Sequence, residues 1–350
     1  MSYKVPGFRH PNLPRNDLGF TTKDYEGAVS TLCAGCGHDS ISAAIIEACF
    51  EMSIPPHRVA KLSGIGCSSK TPTYFLGHSH GFNTVHGRMP SVATGANMAN
   101  RELLYIGVSG DGDTASIGMG QFIHVVRRNV NMVYICENNG VYGLTKGQDS
   151  ATTDIGSTSK KGEPNALEPI DLCSIALQLG ATFVANSFSG DKEQLVPILQ
   201  AAIAHKGFAF INIISPCVTF NNAPGSTKAY DYIRQHMASS NTVDYVPAAT
   251  EITADYDPGT DELVTMHDGS VINFHKLDLE LDIHSRRSAL TRIKDYKAEE
   301  KVLTGILFID EESQDIHETM NTAKTPLRAL TEDTLCPGAA ALEAINNLHR

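Results

Sequence analysis

Leu103-Leu104-Tyr105-Ile106-Gly107-Val108-Ser109-Gly110-Asp111-Gly112-Asp113 is the stretch whose reading decides the fold. Residues 103–108 are apolar without alternation, the pattern of a strand covered on both faces. Behind the polar turn, residues 115–128 place Ile117, Met119, Phe122, Ile123, Val125 and Val126 at helical spacing, and residues 131–136 are apolar again. Strand, helix and strand make a β-α-β unit, and Asn138-Asn139 forms a second polar turn after its second strand. Both turns fall at strand C-termini, the edge where open α/β sheets bind ligands.

Outward from this unit, the same patterns predict strands at 58–62, 181–185 and 208–214. They predict helices over 39–52, with Asp39 as N-cap, and over 172–179 and 192–205. The expectation is an α/β domain over 31–220, a mostly parallel sheet with helices on both faces. Residues 1–30, punctuated by Pro and Gly, read as a segment wrapping over the domain or a partner. Residues 221–350 read as a less regular extension with a hairpin over 263–272 turning at Asp268-Gly269, a helix over 286–299 and a strand over 302–309.

The chemistry follows from the two turns. A diphosphate needs a hard cation, and Mg²⁺ takes a carboxylate, amide or backbone oxygens and phosphate oxygens in near-octahedral array. Asp111, the Asn139 side chain and the Val141 carbonyl can supply three such oxygens. Gly110 and Gly112 let the backbone approach phosphates, and the following helix N-terminus adds N–H donors. Gly-Asp-Gly is also an ordinary tight turn, and it is Asn139 on the next strand that favours the ligand reading.

Of the eight cysteines, Cys33 and Cys36 form a CxxC pair, Cys67 follows the strand at 58–62, and Cys217 follows the strand at 208–214. These four can make a thiolate cage for an iron–sulfur cluster, and zinc or unrelated thiols remain open from chemistry alone. A thioredoxin-type pair is disfavoured because residues 21–32 are polar and irregular where that motif has a buried strand. Cys49, Cys136 and Cys173 sit in apolar runs and read as core.

The motifs together resemble those of one known family. Residues 32–38 (LCAGCGH), 64–69 (GIGCSS), 85–88 (VHGR), 110–113 (GDGD), 139–148 (NGVYGLTKGQ) and 215–217 (SPC) are similar in order and spacing to the β subunits of 2-oxoacid:ferredoxin oxidoreductases, most of all the 2-oxoglutarate type. The resemblance implies a thiamine diphosphate-binding fold, with Mg²⁺ on Asp111, Asn139 and Val141. It implies a [4Fe–4S] cluster on Cys33, Cys36, Cys67 and Cys217. It also implies thiamine contacts from Ile65, Gly66, Ser68, His86, Gly112, Asp113, Gly143 and Leu144. His86, otherwise readable as a loop histidine, becomes a candidate to hydrogen bond or donate a proton near the reacting carbonyl. A separate α subunit is implied to supply a pyrimidine-binding domain and the activating glutamate, with coenzyme A as acyl acceptor and ferredoxin as electron acceptor.

Substrate choice turns on charge. With a formal net charge of −11, the chain must draw an anionic substrate by a local positive site. Lys70 and Lys146 flank the motifs, with Arg88 a further candidate. Two lysines favour 2-oxoglutarate, whose second carboxylate is costly to desolvate unpaired. Pyruvate or another 2-oxoacid is the alternative if these are surface lysines, and a non-catalytic electron-transfer subunit is the alternative outside enzymes.

Composition bounds the rest. With 350 residues, 41% of them hydrophobic, the chain can bury a large core. There is no basic excess to attract nucleic acid. No apolar run reaches membrane-spanning length and residues 1–10 lack an apolar leader core, so a cytoplasmic protein with reduced thiols is expected.

Overall fold

Parallel pairing of the short apolar runs builds the sheet that carries the site. The computed structural model describes residues 13–157, 163–219, 251–267, 271–336 and 338–349. Its strands are β1 (Val59–Ser63), β2 (His80–Asn83), β3 (Leu104–Gly110), β4 (Met132–Asn138), β5 (Val141–Tyr142), β6 (Gln148–Asp149), β7 (Phe183–Phe188), β8 (Phe208–Ile214), β9 (Asp261–Thr265), β10 (Val271–Lys276) and β11 (Lys301–Ile309). The described strands form a nine-stranded sheet ordered β2-β1-β3-β4-β8-β7-β11-β10-β9, with β5 and β6 as a separate ribbon. From β2 to β7 every pairing is parallel, so the C-termini of these strands share one edge. β11 then enters antiparallel to β7, and β9 antiparallel to β10.

Two apolar layers hold this sheet. Alternation along β4 sends Met132, Tyr134 and Cys136 to one face and Val133 and Ile135 to the other. The first face packs on α3 (Met89–Ala99), α4 (Met119–Arg127), α5 (Leu172–Gln178) and α7 (Arg286–Ala298). The second packs on α1 (Gly37–Glu51) and α6 (Lys192–Ala204). The short helix α2 (Thr71–Tyr74) follows the loop after β1. Phe122 of α4 is wholly buried between Tyr134, Phe208 and Phe210, with ring centroids 5.5, 6.2 and 5.0 Å away. The core cysteines behave as expected, Cys49 and Cys136 being fully enclosed and Cys173 nearly so.

Several elements depart from expectation. α1 starts two residues earlier than predicted, with Cys36 at the N-cap. Asp39 sits in its first turn, where a carboxylate meets the positive end of the helix dipole. The single helix expected over 115–128 is divided. Gly112–Ile117 is a π-helical turn closed by Gly118 N–H donating to the Asp113 carbonyl at 2.8 Å, and α4 begins only at Met119. Such wide turns recur at functional sites. β7 runs from 183 to 188, later than the predicted 181–185. Polar Asn186 belongs inside it, donating to the Leu303 carbonyl at 2.6 Å and accepting from Asn212 at 2.8 Å.

Part of the span 221–350 is regular after all. The predicted hairpin is the β9–β10 pair, and together with β11 it extends the main sheet. Its turn at Asp268-Gly269 lies outside the described residues. At the other end, Tyr25 is fully buried, accepts a bond from Leu76 N–H at 2.6 Å, and is tied by Asn16 to the Phe50 carbonyl. Residues 13–30 therefore lie against α1 and α2, whereas residues 1–12 of the predicted wrapping segment are not among the described residues. No described helix is long and apolar enough to cross a membrane.

Candidate functional site

The loops after β1, β2, β3, β4 and β8 meet at the shared C-terminal edge. Asp111, first residue beyond β3, is 1% exposed. Its Oδ2 accepts from the hydroxyls of Ser150 and of Thr152, the latter at 2.9 Å, and its Oδ1 accepts from Asn139 N–H at 3.3 Å. Burial pushes this carboxyl up and the hydroxyl donors pull it back. Asn139 Oδ1 in turn accepts from Val141 N–H at 3.1 Å, curling its side chain over its own turn. Asp111, Asn139 and Val141 are thus linked through consecutive hydrogen bonds.

A second carboxylate, Asp113, organises the neighbouring loops. It accepts from Gly87 N–H and from the Ser109 hydroxyl, both at 2.6 Å, and Nδ1 of His86 bonds its Oδ1. Gly64 must be glycine here, because a Cβ would stand 1.9 Å from Asp113 Oδ2. At Gly112 a Cβ would meet the Tyr142 ring at 2.4 Å, and the Tyr142 hydroxyl donates to the Gly112 carbonyl at 2.9 Å. Tyr142 also meets the His86 ring edge-on at 6.2 Å. The β4 loop is thereby locked onto the π-helical turn.

The remaining candidates divide by location. Ile65, Gly66, Cys67, Ser68 and Lys70 share the loop after β1; Ser68 is buried against Gly110 and the others are half-buried. Gly143 is buried in the turn after β5, whereas Leu144 is exposed. Lys146 is exposed and takes a left-handed backbone, φ +85°. Arg88 is exposed at the N-cap of α3. Among the described residues no side-chain bond ties Lys146 or Arg88 to the other candidates.

No disulfide occupies any of the eight cysteines. Cys33 is exposed, with its sulfur accepting from the Thr219 hydroxyl at 3.2 Å, and Cys36, Cys67 and Cys217 are half-buried. Burial pushes the Cys36 thiol far above its usual range, and repulsion from Glu137 and Cys217 adds to this. Cys67 is raised by burial, lowered in part by Lys70, and raised again by Cys33 and Glu137. Cys36 thus lies near Cys217 and Cys67 near Cys33, so thiols from three loops approach one another in two pairs. Among the described residues no three His, Cys, Asp or Glu side chains close round a single metal ion. Four thiols on three loops are the donor chemistry that an iron–sulfur cluster takes.

Sequence reasoning missed several members of this edge. Ser150 and Thr152 carry no motif signal of their own, and Tyr142, though inside the 139–148 motif, was assigned no role. Glu137 had one, a carboxylate inside an otherwise apolar strand. His267, just beyond β9, is 8% exposed and its Nε2 lies 3.3 Å from the Gly35 carbonyl inside the CxxC loop.

Comparison with known proteins places the chain in a family. Residues 64–213 match the family described as thiamine pyrophosphate enzyme, C-terminal TPP binding domain. The chain is 42% identical over 199 residues to the 2-oxoacid:ferredoxin oxidoreductase subunit beta of Saccharolobus solfataricus, covering 57% of this chain and 65% of that relative. It is 40% identical over 189 residues to the 2-oxoglutarate synthase subunit KorB of Methanocaldococcus jannaschii, covering 54% of this chain and 69% of that one. Among solved structures it is similar to a 2-oxoglutarate:ferredoxin oxidoreductase from Magnetococcus marinus, whose structure has 2-oxoglutarate, coenzyme A and succinyl-CoA bound. The TM-score is 0.70 at 28% identity, over 93% of this chain and 96% of that one. With a thiamine diphosphate domain at its centre and relatives of this kind on either side of the two-thirds mark in coverage, the chain belongs to the β subunits of the 2-oxoacid:ferredoxin oxidoreductase family.

Proposed function

We propose that the chain is the β subunit of a coenzyme A-dependent 2-oxoglutarate:ferredoxin oxidoreductase, working with an α subunit that supplies the pyrimidine-binding domain and the activating glutamate. The reaction is oxidative decarboxylation of 2-oxoglutarate to succinyl-CoA and CO₂, with electrons passed to ferredoxin, and it is reversible in principle. In this reading Asp111, Asn139 and the Val141 carbonyl hold Mg²⁺ on the diphosphate. Ile65, Gly66, Ser68, His86, Gly112, Asp113, Gly143 and Leu144 line the thiamine diphosphate, and Cys33, Cys36, Cys67 and Cys217 hold a [4Fe–4S] cluster. When bound, thiamine diphosphate supplies the electron sink for decarboxylation and the cluster a one-electron exit.

The chain's own residues orient and enclose these groups. Asp113 fixes the imidazole of His86 through Nδ1, leaving Nε2 to face the site and hold or give a proton at the substrate carbonyl. Tyr142 closes the turn over Gly112. Lys70, half-buried on the cysteine loop, and Lys146 pair the two substrate carboxylates, with Arg88 adding positive charge at the rim. The chain divides in this reading into 1–30, 31–220 and 221–350, the last joined to the main sheet through β11, and the cytoplasm is the setting that keeps the four thiols available.

The observation that carries this reading is the loop after β1. It bears Cys67 between the thiamine-contact candidates Gly66 and Ser68, and its Ser68 packs on Gly110 of the diphosphate turn. Cofactor and cluster would then be neighbours on one loop. Anaerobic turnover of the chain co-expressed with its α partner, comparing 2-oxoglutarate with pyruvate under coenzyme A and a viologen acceptor, tests it. Strong preference for 2-oxoglutarate is expected; preference for pyruvate would overturn the substrate, and no turnover with either would overturn the catalytic role.

A further inference from the structure

We propose that Glu137 is the positioning residue of the cysteine quartet, the centre of a buried polar knot that ties all three cysteine-bearing loops to the end of β4. The proposal rests on the cluster assignment above. Alternation along β4 turns Cys136 toward one core layer and Glu137 toward the other, the side on which α1 begins. There the Thr71 hydroxyl donates to Glu137 Oε2 at 2.9 Å, and His38 Nδ1 lies 3.4 Å from the same oxygen. His38 Nδ1 is also 2.6 Å from the Ser215 hydroxyl.

The sequence positions of these partners give the knot its meaning. Thr71 follows Cys67 by four residues, His38 follows Cys36 by two, and Ser215 precedes Cys217 by two. The Glu137 carboxylate thus meets the Cys67 loop at Thr71 and the CxxC loop at His38, and reaches the Cys217 loop at one remove, through His38 to Ser215. Glu137, Thr71 and Ser215 are fully buried and His38 is 1% exposed, so water does not compete for these bonds. Glu137 Oε1 has no hydrogen-bond partner among the described residues, an uncompensated buried group of the kind that native cores rarely keep without a role.

Groups standing behind metal ligands govern how firmly a centre is held and, through solvent access and hydrogen bonding, its potential. The test uses the assembled complex with the α partner, prepared anaerobically. Iron and sulfide content, the rate of cluster loss to a ferrous chelator and the EPR-monitored reduction potential are compared for wild type, Glu137→Leu, Thr71→Val and Glu137→Gln. Glu137→Leu and Thr71→Val are expected to lose the cluster about 10-fold faster with a shifted potential. Glu137→Gln, which keeps an acceptor for Thr71, is expected to restore both readouts. Wild-type loss rates and potentials in the first two variants overturn the proposal. If Glu137→Leu does not fold, Thr71→Val, which removes one hydroxyl at constant volume, decides alone. A wild-type complex devoid of iron and sulfide overturns the cluster assignment itself, a result distinct from unaltered variants of an iron-loaded wild type.

Discussion

Asp113 occupies the space that a side chain on Gly64 would need, its Oδ2 lying 1.9 Å from the position of that glycine's missing Cβ. The two residues come from loops after different strands, so the close approach locks one loop on the other. Gly64→Ala must drive Asp113 away and loosen its bonds to Gly87 and Ser109. We expect thiamine diphosphate affinity in the αβ complex to fall by at least about 10-fold, measured by calorimetry. Wild-type affinity in this variant would contradict the packing argument.

Lys146 bears on substrate choice. Losing a charge-assisted bond to a carboxylate costs about 1.5–3 kcal/mol. Lys146→Ala should therefore raise KM for 2-oxoglutarate by roughly 10- to 100-fold and leave thiamine diphosphate binding intact. An unchanged KM would return Lys146 to the solvated surface.

Phe122 tests the core away from the bound groups. Its ring fills the space between Tyr134, Phe208 and Phe210, and Phe122→Ala should cost about 3–5 kcal/mol by leaving a cavity. Denaturant unfolding measures this, and a loss under about 1 kcal/mol would mean the surrounding rings collapse to fill the gap.

Lys61 gives a pH signature. Its ammonium donates to the Phe75 carbonyl at 2.6 Å and the Leu76 carbonyl at 3.1 Å, and burial pushes its pKa from 10.5 down to about 8. Above pH 8 the folded chain releases this proton while the unfolded chain keeps it up to pH 10.5. The unfolded state then binds more protons, so the Lys61 contribution grows with pH across this window and is lost as pH falls through about 8. The stability of wild type minus that of Lys61→Met, from denaturant melts at stepped pH, should climb between these limits. A flat difference would show that Lys61 titrates normally.

Much of this was legible because parallel strands buried on both faces write themselves as unbroken apolar runs. β3, β4 and β8 were readable from hydrophobicity, and the polar turns that follow them marked the site edge. Boundaries failed where a polar group lies inside a strand for a tertiary reason, as Asn186 does in β7, or where one wide turn replaces a regular one, as at Gly112–Ile117. Helical spacing at Ile117 and Met119 could not reveal that break, since spacing carries no trace of the wide turn or of the Asp113 contacts beside it. The roles of Ser150, Thr152 and Tyr142 were invisible for a similar reason: hydroxyls declare themselves only through their partners.

The reversal of β11 has a consequence in the order of synthesis. Because β11 turns back against β7, β9 again points toward the ligand edge and delivers His267 to the Gly35 carbonyl, 232 positions away in the chain. The CxxC loop leaves the ribosome early, Cys217 much later, and His267 later still. Since domains fold largely as they emerge, the quartet stays open at one side until most of the chain has been made. On the proposed cluster assignment, loading would be a late event, following the emergence of the C-terminal strands.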